Sequence, residues 1–508
     1  VRFILDGQPV SVDPPVGATL LDVLRGELGV TSVKDGCAPQ GQCGCCTVLV
    51  DGAPRVACVT PARRVEGRTV TTLEGLDTAG QWSEAFLSCG ASQCGFCTPG
   101  IIVRLERLRR EGRLGDPDAV RRSLAAHLCR CTGWQTIVEA AGRIAAGEPV
   151  GTDRDLVAAS ERATLEGGAP QVVSAAVARG AGGFSDDRAP AQALIATTDG
   201  EGGWKVADTL AGSRVGKVQG RRTTVEAIPP LEVPAGTWDR VLRTGWVEPA
   251  YLELDASWCS PGGEPSSPLA NGGAFGSKLD SPVPAAARML ADRYDRVVLA
   301  RWSREDSVRF GPKRPPIAAG IRADGTGIMR VVACPGVDEA IAQVAPGLVV
   351  EHVEVPGPAV SSRIRGAGWV EAAVLRCAVS DVDEVTAPNG SWAAAVVAAG
   401  RIEVRVRCGR VLDEVVLRSY CIGAAHMAAG WVTSEGLTVD GEGEVHDLTI
   451  RSFGILRADA LPEVTVEICE DDTEARNGSD AAFAAVAAAV WRSQGYPEMW
   501  PTGIGLVR

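Results

Sequence analysis

Histidine is scarce in this sequence: four in 508 residues, His127, His352, His426 and His446. None stands at a ligand spacing from another, which argues against a histidine-built metal site. Aromatic residues are also few, at 5%, so the cores must be made mainly of Ala, Val and Leu. No block is strongly basic, and 51 Lys and Arg face 63 Asp and Glu for a formal charge of -12. That balance makes nucleic acid a poor candidate partner. No apolar run reaches membrane-spanning length. The opening stretch VRFILDGQPVSVDPP has no basic lead followed by a long apolar segment, so no secretory signal is expected there. A removed twin-arginine leader would leave the same start. The expectation is a reducing, cytoplasmic setting, where clustered cysteines are metal ligands more often than disulfides.

Cysteine is what the chain does have. Sixteen occur, ten of them between Cys37 and Cys131. The length accommodates three or four domains. Residues 1–78 read as a small strand-rich domain. A hairpin turns at Asp6-Gly7, a short helix covers Thr19–Leu28, and strands are expected at Thr47–Val50 and Arg55–Val59. Residues 79–148 read as helical, with helices at Ile101–Arg110, Asp118–Leu128 and Ile137–Ala146. Residues 149–215 are Gly/Ala-rich and weakly periodic, and are expected to form a linker with a small irregular region. From 216 to 508 strands and helices alternate. The strands include Val297–Ala300, Ile402–Val406 and Val464–Ile468, and the helices Pro284–Tyr294 and Ala481–Arg492. The fold class expected is α+β and multidomain.

The first cysteine group is Cys37-x5-Cys43-x2-Cys46, with Cys58 twelve residues on and Gly36, Gly41 and Gly44 among them. A [2Fe–2S] cluster needs four thiolates, three commonly from one tight loop. Glycine permits the backbone path of such a loop. The spacing resembles the plant-type ferredoxin pattern with one residue added between the first two ligands. Cys45 reads as a small buried filler. The second group is Cys94-x2-Cys97 and Cys129-x-Cys131, placed at helix junctions, with Cys89 spare. A four-cysteine zinc site is the competing reading, although a one-residue Cys-x-Cys spacer is unusual for zinc.

Three stretches, GCAPQGQCGCCTVLVDG (36–52), ASQCGFCTPGIIV (91–103) and HLCRCTGWQTIVEA (127–140), strongly resemble the iron–sulfur part of the molybdenum hydroxylases. This is the family of xanthine dehydrogenase, aldehyde oxidase and carbon monoxide dehydrogenase. The resemblance implies a β-grasp ferredoxin domain and a four-helix domain with one [2Fe–2S] cluster each. Cys37, Cys43, Cys46 and Cys58 would hold the first, and Cys94, Cys97, Cys129 and Cys131 the second. It also implies that the helical-domain cluster lies nearer the molybdopterin, with Gln93 as a pterin contact. The other cluster would face the outer acceptor.

Further on, Val247-Glu248-Pro249, Asn271 to Lys278 (NGGAFGSK), Arg304-Glu305-Asp306, Lys313-Arg314-Pro315-Pro316 and Arg365-Gly366-Ala367-Gly368 follow the order of the family's molybdenum subunit. By that resemblance Gly272, Gly273, Phe275, Gly276 and Arg365 are remnants of molybdopterin-binding loops. The region is much shorter than a complete molybdenum subunit. A residue count also puts Asn477 where the family has its glutamate base, and an amide cannot accept that proton. Residues 216–508 are therefore expected to be a truncated α/β domain with no catalytic residue.

The expected role is electron transfer and scaffolding in a hetero-oligomer, with molybdopterin on a partner catalytic subunit. FAD would sit on another partner, because this chain has no dinucleotide fingerprint; a cytochrome or quinone is the other acceptor considered. The alternative is a self-contained compact hydroxylase of aldehydes or N-heteroaromatics. A zinc-stabilised interaction protein is a third reading.

Overall fold

The computed structural model describes all residues except 38–39, 150, 152, 215–226, 270–271, 381, 461 and 507–508. Asn271 thus lies outside the described residues.

The N-terminal domain is a five-stranded sheet in the order Gln8–Ser11, Arg2–Leu5, Thr69–Thr71, Thr47–Val50, Ala53–Val56. Arg2–Leu5 runs parallel to Thr69–Thr71, and its other neighbour is joined by the Asp6-Gly7 hairpin. A helix begins at Leu20 behind a Thr19/Asp22 capping box and widens into a π turn over Val23–Glu27. The strand expected at Arg55–Val59 stops at Val56; Ala57–Val59 is a 3-10 turn. That turn takes Cys58 off the sheet and back to the 36–46 loop, where its N–H points at Cys46 Sγ (3.4 Å).

Four helices follow: Ala79–Cys89, Thr98–Arg110, Pro117–Leu124 and Gln135–Ala146. The third ends at Leu124, earlier than the periodicity implies. Residues beyond it are drawn into the first cysteine loop, with Leu128 N–H donating to Cys43 O (2.9 Å).

Residues 149–215 are more ordered than the expected irregular linker. They contain the helix Leu156–Gly167 and the strands Leu194–Thr198 and Trp204–Ala207. Leu194–Thr198 pairs parallel to Val298–Arg301, and with Trp204–Ala207 and Ala256–Cys259 they make one four-stranded sheet. Gly/Ala-rich composition masked these elements, because small side chains leave little periodic signal for packing to be read from.

The remainder holds two more sheets. One has five strands in the order Leu348–Val353, Gly327–Val332, Ile317–Ile321, Arg240–Thr244, Met499–Trp500. The other has four, ordered Glu384–Thr386, Trp392–Ala398, Arg401–Arg407, Glu463–Ile468. The helices Trp369–Ser380, Glu414–Thr433 and Ser479–Ser493 share one core with them. Ser479–Ser493 is buried almost all round; its alanines let the neighbouring helix approach closely, and both lack the polar stripe of a surface helix. The first core also crosses domains: Trp246, Leu437, Ile450 and Phe453 pack into the cluster of residues that includes Cys37 and Cys131. The six scattered cysteines are buried except Cys334 and Cys469, which are half-buried. The fold is α+β and multidomain, and among the described residues no helix is long and apolar enough to cross a membrane.

Candidate functional site

The first thiol set sits on the 36–46 loop and the 3-10 turn at Cys58. Gly41 and Gly44 have φ of +69° and +75°, the left-handed region that glycine enters without strain. At Gly44 a Cβ would also lie 2.4 Å from the His127 ring. Cys37, Cys43, Cys46 and Cys58 are all buried. Cys37 is in hydrogen-bond contact with Cys43 and Cys58, and Cys58 with Cys46. Hydrogen bonds from Cys43 and Cys58 hold the Cys37 thiol well below its usual range, while Cys43 and Cys58 are pushed up by the same contacts and by burial. Gln42 N–H points at Cys37 Sγ (3.3 Å). Converging thiols with backbone N–H groups aimed at sulfur suit a [2Fe–2S] cluster.

The second set stands at the two ends of a helical hairpin. Cys94 and Cys97 precede Thr98–Arg110, and Cys129 and Cys131 follow Pro117–Leu124. Cys131 Sγ lies 3.7 Å from Cys94 Sγ. Cys97 hydrogen-bonds Cys129, whose thiol falls to about 6 chiefly for that reason. Thr132 Oγ1 is 3.1 Å from Cys129 Sγ. The two sets lie on touching loops, joined by the Leu128 N–H bond to Cys43 O, and a Cβ on Gly100, in the first turn of Thr98–Arg110, would fall 2.4 Å from Gly44 O and 2.8 Å from Cys45 O.

The glycine-rich stretch reaches this second set. Gly273 has φ +87°, and a Cβ there would lie 3.0 Å from Cys94 Cβ and 3.5 Å from Cys131 Sγ. Gly272 is closed over by Gln171, and Gly276 by Arg363 O. Gln93 is buried and donates to Ser419 Oγ (3.0 Å) on the helix Glu414–Thr433. Phe275 and Arg365 come together, with the guanidinium 4.7 Å from the ring centroid.

The space these residues enclose is small. The cavity lined by Arg130, Glu248, Phe275, Arg365, Trp431 and Phe483 measures about 30 Å³, and that between Gly273, Lys278 and the second thiol set about 10 Å³. Pockets for small ligands run from about 300 to 1,000 Å³, and one water needs roughly 10–15 Å³. As the side chains stand, no space of pterin size lies between them. Ion pairs fill the region instead. Arg130 grips Glu435 with two bonds of 2.5 and 2.7 Å. Arg314 does the same to Glu371 at 2.9 and 2.7 Å. Lys313 meets Glu248 at 2.9 Å and Lys278 meets Glu253 at 2.7 Å. Burial pushes Glu253 up to about 7 despite Lys278.

Asn477 is set apart from that cavity. Its amide donates to Glu166 O (3.0 Å) and its oxygen accepts from Asp480 N–H (3.0 Å). The Glu166 carboxylate accepts from Gly478 and Ser479 N–H at the start of the helix Ser479–Ser493 (3.0 and 2.8 Å). Arg162 pairs with it at 2.9 Å, both side chains fully buried. Sequence reasoning missed Arg162 and Glu166 because they lie in the supposed linker; their i,i+4 spacing was the available signal. It also missed Arg130–Glu435, whose partners are 305 residues apart.

Residues 3–72 match the family model of a 2Fe-2S iron-sulfur cluster binding domain, and residues 72–142 that of a [2Fe-2S] binding domain. The chain is 44% identical over 144 residues to the xanthine dehydrogenase iron-sulfur-binding subunit of Escherichia coli O157:H7, covering 27% of this chain and 89% of that subunit. It is 39% identical over 137 residues to the nicotinate dehydrogenase small FeS subunit of Eubacterium barkeri, covering 26% and 87%. The aldehyde oxidoreductase from Desulfovibrio gigas is similar in structure, with a TM-score of 0.69 over 96% of this chain and 97% of that one. Identity there is 14%, so this last likeness is one of fold alone.

Proposed function

Because this chain belongs to the xanthine dehydrogenase/aldehyde oxidase family of molybdenum hydroxylases, we propose that it is the family's electron-relay and scaffold subunit. Its two [2Fe–2S]-binding domains hold one cluster on Cys37, Cys43, Cys46 and Cys58, and a second on Cys94, Cys97, Cys129 and Cys131. Such a cluster, when bound, takes up and releases one electron at a time. The protein's part is to keep the two thiol sets on touching loops and to exclude water from them.

Molybdopterin belongs, in this reading, to a partner catalytic subunit that hydroxylates an aldehyde or N-heteroaromatic carbon. The observation that carries the assignment is the contrast within one chain. Two complete sets of buried thiols stand beside a cavity of about 30 Å³ crossed by ion pairs. FAD, or a cytochrome or quinone acceptor, sits on a further component, and the complex works in the cytoplasm.

Metal analysis of the purified chain tests this. About four irons per chain, two paramagnetic species on reduction and no molybdenum are expected. Stoichiometric molybdenum together with aldehyde or heteroaromatic turnover by the chain alone would overturn the division of labour.

A further inference from the structure

Two guanidinium groups from the C-terminal half reach the first cysteine loop without a carboxylate partner among the described residues. Arg304 opens the helix Arg304–Phe310 and is fully buried. Its Nη2 donates to the carbonyls of Gly36 (2.9 Å), Tyr251 (2.7 Å) and Leu252 (3.3 Å). Nε and Nη1 meet no acceptor among the described residues. Gly36 precedes Cys37, and a Cβ on it would lie 3.1 Å from Cys43 Sγ. Arg451 approaches the same loop at Gln42. Its Nε donates to Gln42 O (3.0 Å), its Nη2 to Ala126 O (2.9 Å), and its backbone N–H to Gln42 Oε1 (3.2 Å). It lies within electrostatic range of Cys37 and Cys43.

Other cations near the loop each have a carboxylate partner: Arg25, Lys34, Arg214 and Arg301 share Asp35, Asp186 and Asp187. The loop also has an acid beside it, Glu305, whose carboxylate accepts from Gln40 Nε2 (2.7 Å). A buried guanidinium without counter-charge is costly, so its retention calls for a negative partner. A two-iron cluster on four thiolates is formally a dianion that becomes a trianion on reduction, and its potential follows local charge.

We propose that Arg304 and Arg451 are counter-charges of the first cluster, raising its reduction potential, so that the trimmed domain sets the driving force of the relay as well as its place. The inference rests on the cysteine assignment made above.

The test is a redox titration of the full chain followed by paramagnetic resonance, which reads each cluster separately. Arg451→Gln and Arg304→Met are expected to lower the first cluster's midpoint, together cutting its reduced-to-oxidised ratio at a fixed potential about tenfold, or ~59 mV for a one-electron couple. Arg304→Lys keeps the charge and is expected to stay near the wild-type midpoint. Glu305→Gln is expected to move it the opposite way, and the second cluster moves less in every variant. Arg451 is half-buried, so Arg451→Gln decides the matter even where Arg304→Met fails to fold. Full iron with unmoved midpoints in Arg451→Gln and Glu305→Gln would overturn the counter-charge role alone. A wild-type chain without two paramagnetic species would overturn the cysteine assignment itself.

Discussion

Removing Glu435 should loosen the second cluster site, at the interface between the two halves of the chain. Arg130 stands between Cys129 and Cys131, 5% exposed, and its guanidinium is held by Glu435, 2% exposed. A third bond runs from Nε to Pro249 O at 3.0 Å. Glu435→Ala leaves that cation buried with one carbonyl for company, and breaking a buried pair in this way costs about 3–5 kcal/mol. Glu435→Gln keeps the shape and an acceptor, so its cost is expected near the 1.5–3 kcal/mol of a charged hydrogen bond. A chain of several domains with clusters does not unfold in two states. The useful assay is therefore the rate at which the second cluster's resonance signal is lost on mild heating. If the pair is already broken and Arg130 solvated at the barrier, 3 kcal/mol lost from the native state corresponds to roughly two decades in that rate. Arg130→Met with Glu435→Leu should recover much of the loss, since an apolar pair of similar volume replaces a buried ion pair at little cost. Loss rates for Glu435→Ala equal to wild type would refute the reasoning.

Gly273→Ala should cost the second cluster selectively, because φ is +87° there and the added carbon meets Cys94; iron is expected to fall by about half, with the first cluster's signal kept. Cys45→Ala should leave iron unchanged, whereas Cys46→Ala should remove the first cluster, and iron analysis of the two separates filler from ligand. For Glu106, burial pushes the carboxyl up, but hydrogen bonds from Arg109, Trp82, Arg110 and Thr78 outweigh it and bring the group to about 2. Its stabilisation is therefore present above the ordinary value of 4.5 and lost as pH falls through about 2. Glu106→Gln should flatten acid-induced loss of helical circular dichroism across that window; an unchanged acid profile would count against the shift.

The cysteine-bearing N-terminal part of the chain was legible because its clustered thiols are local. Cys37, Cys43 and Cys46 lie on one loop, Cys94 and Cys97 on another, and the spacing itself carries the chemistry. Cys45 read as filler and is buried within the first core. The helix Ser479–Ser493 and the strand Arg401–Arg407 were legible from periodicity to within two residues. The partnerships across the chain were not. Arg162 and Glu166 sit in a Gly/Ala-rich stretch, and nothing local marks Glu166 as the carboxylate that accepts from Gly478 and Ser479 N–H. Arg451 looks like an ordinary surface arginine in sequence, and the motifs that hold Arg130 and Arg304 do not show what buries them. Their burial depends on which distant backbone closes over them, which a single sequence does not display. The helix ending at Leu124 fails for a related reason: tertiary demand for residues 125–131 in the cysteine loop outweighs local helical propensity.

The strand Leu194–Thr198 lies between Trp204–Ala207 and Val298–Arg301, and this has a consequence for how the chain is made. Half of that small sheet is synthesised before residue 215 and half after it, so neither portion can leave the ribosome complete. Residues 149–215 must therefore mature together with the region that follows them. That stretch is no separable tether: cut from the residues that follow, it would lose two of its sheet's four strands.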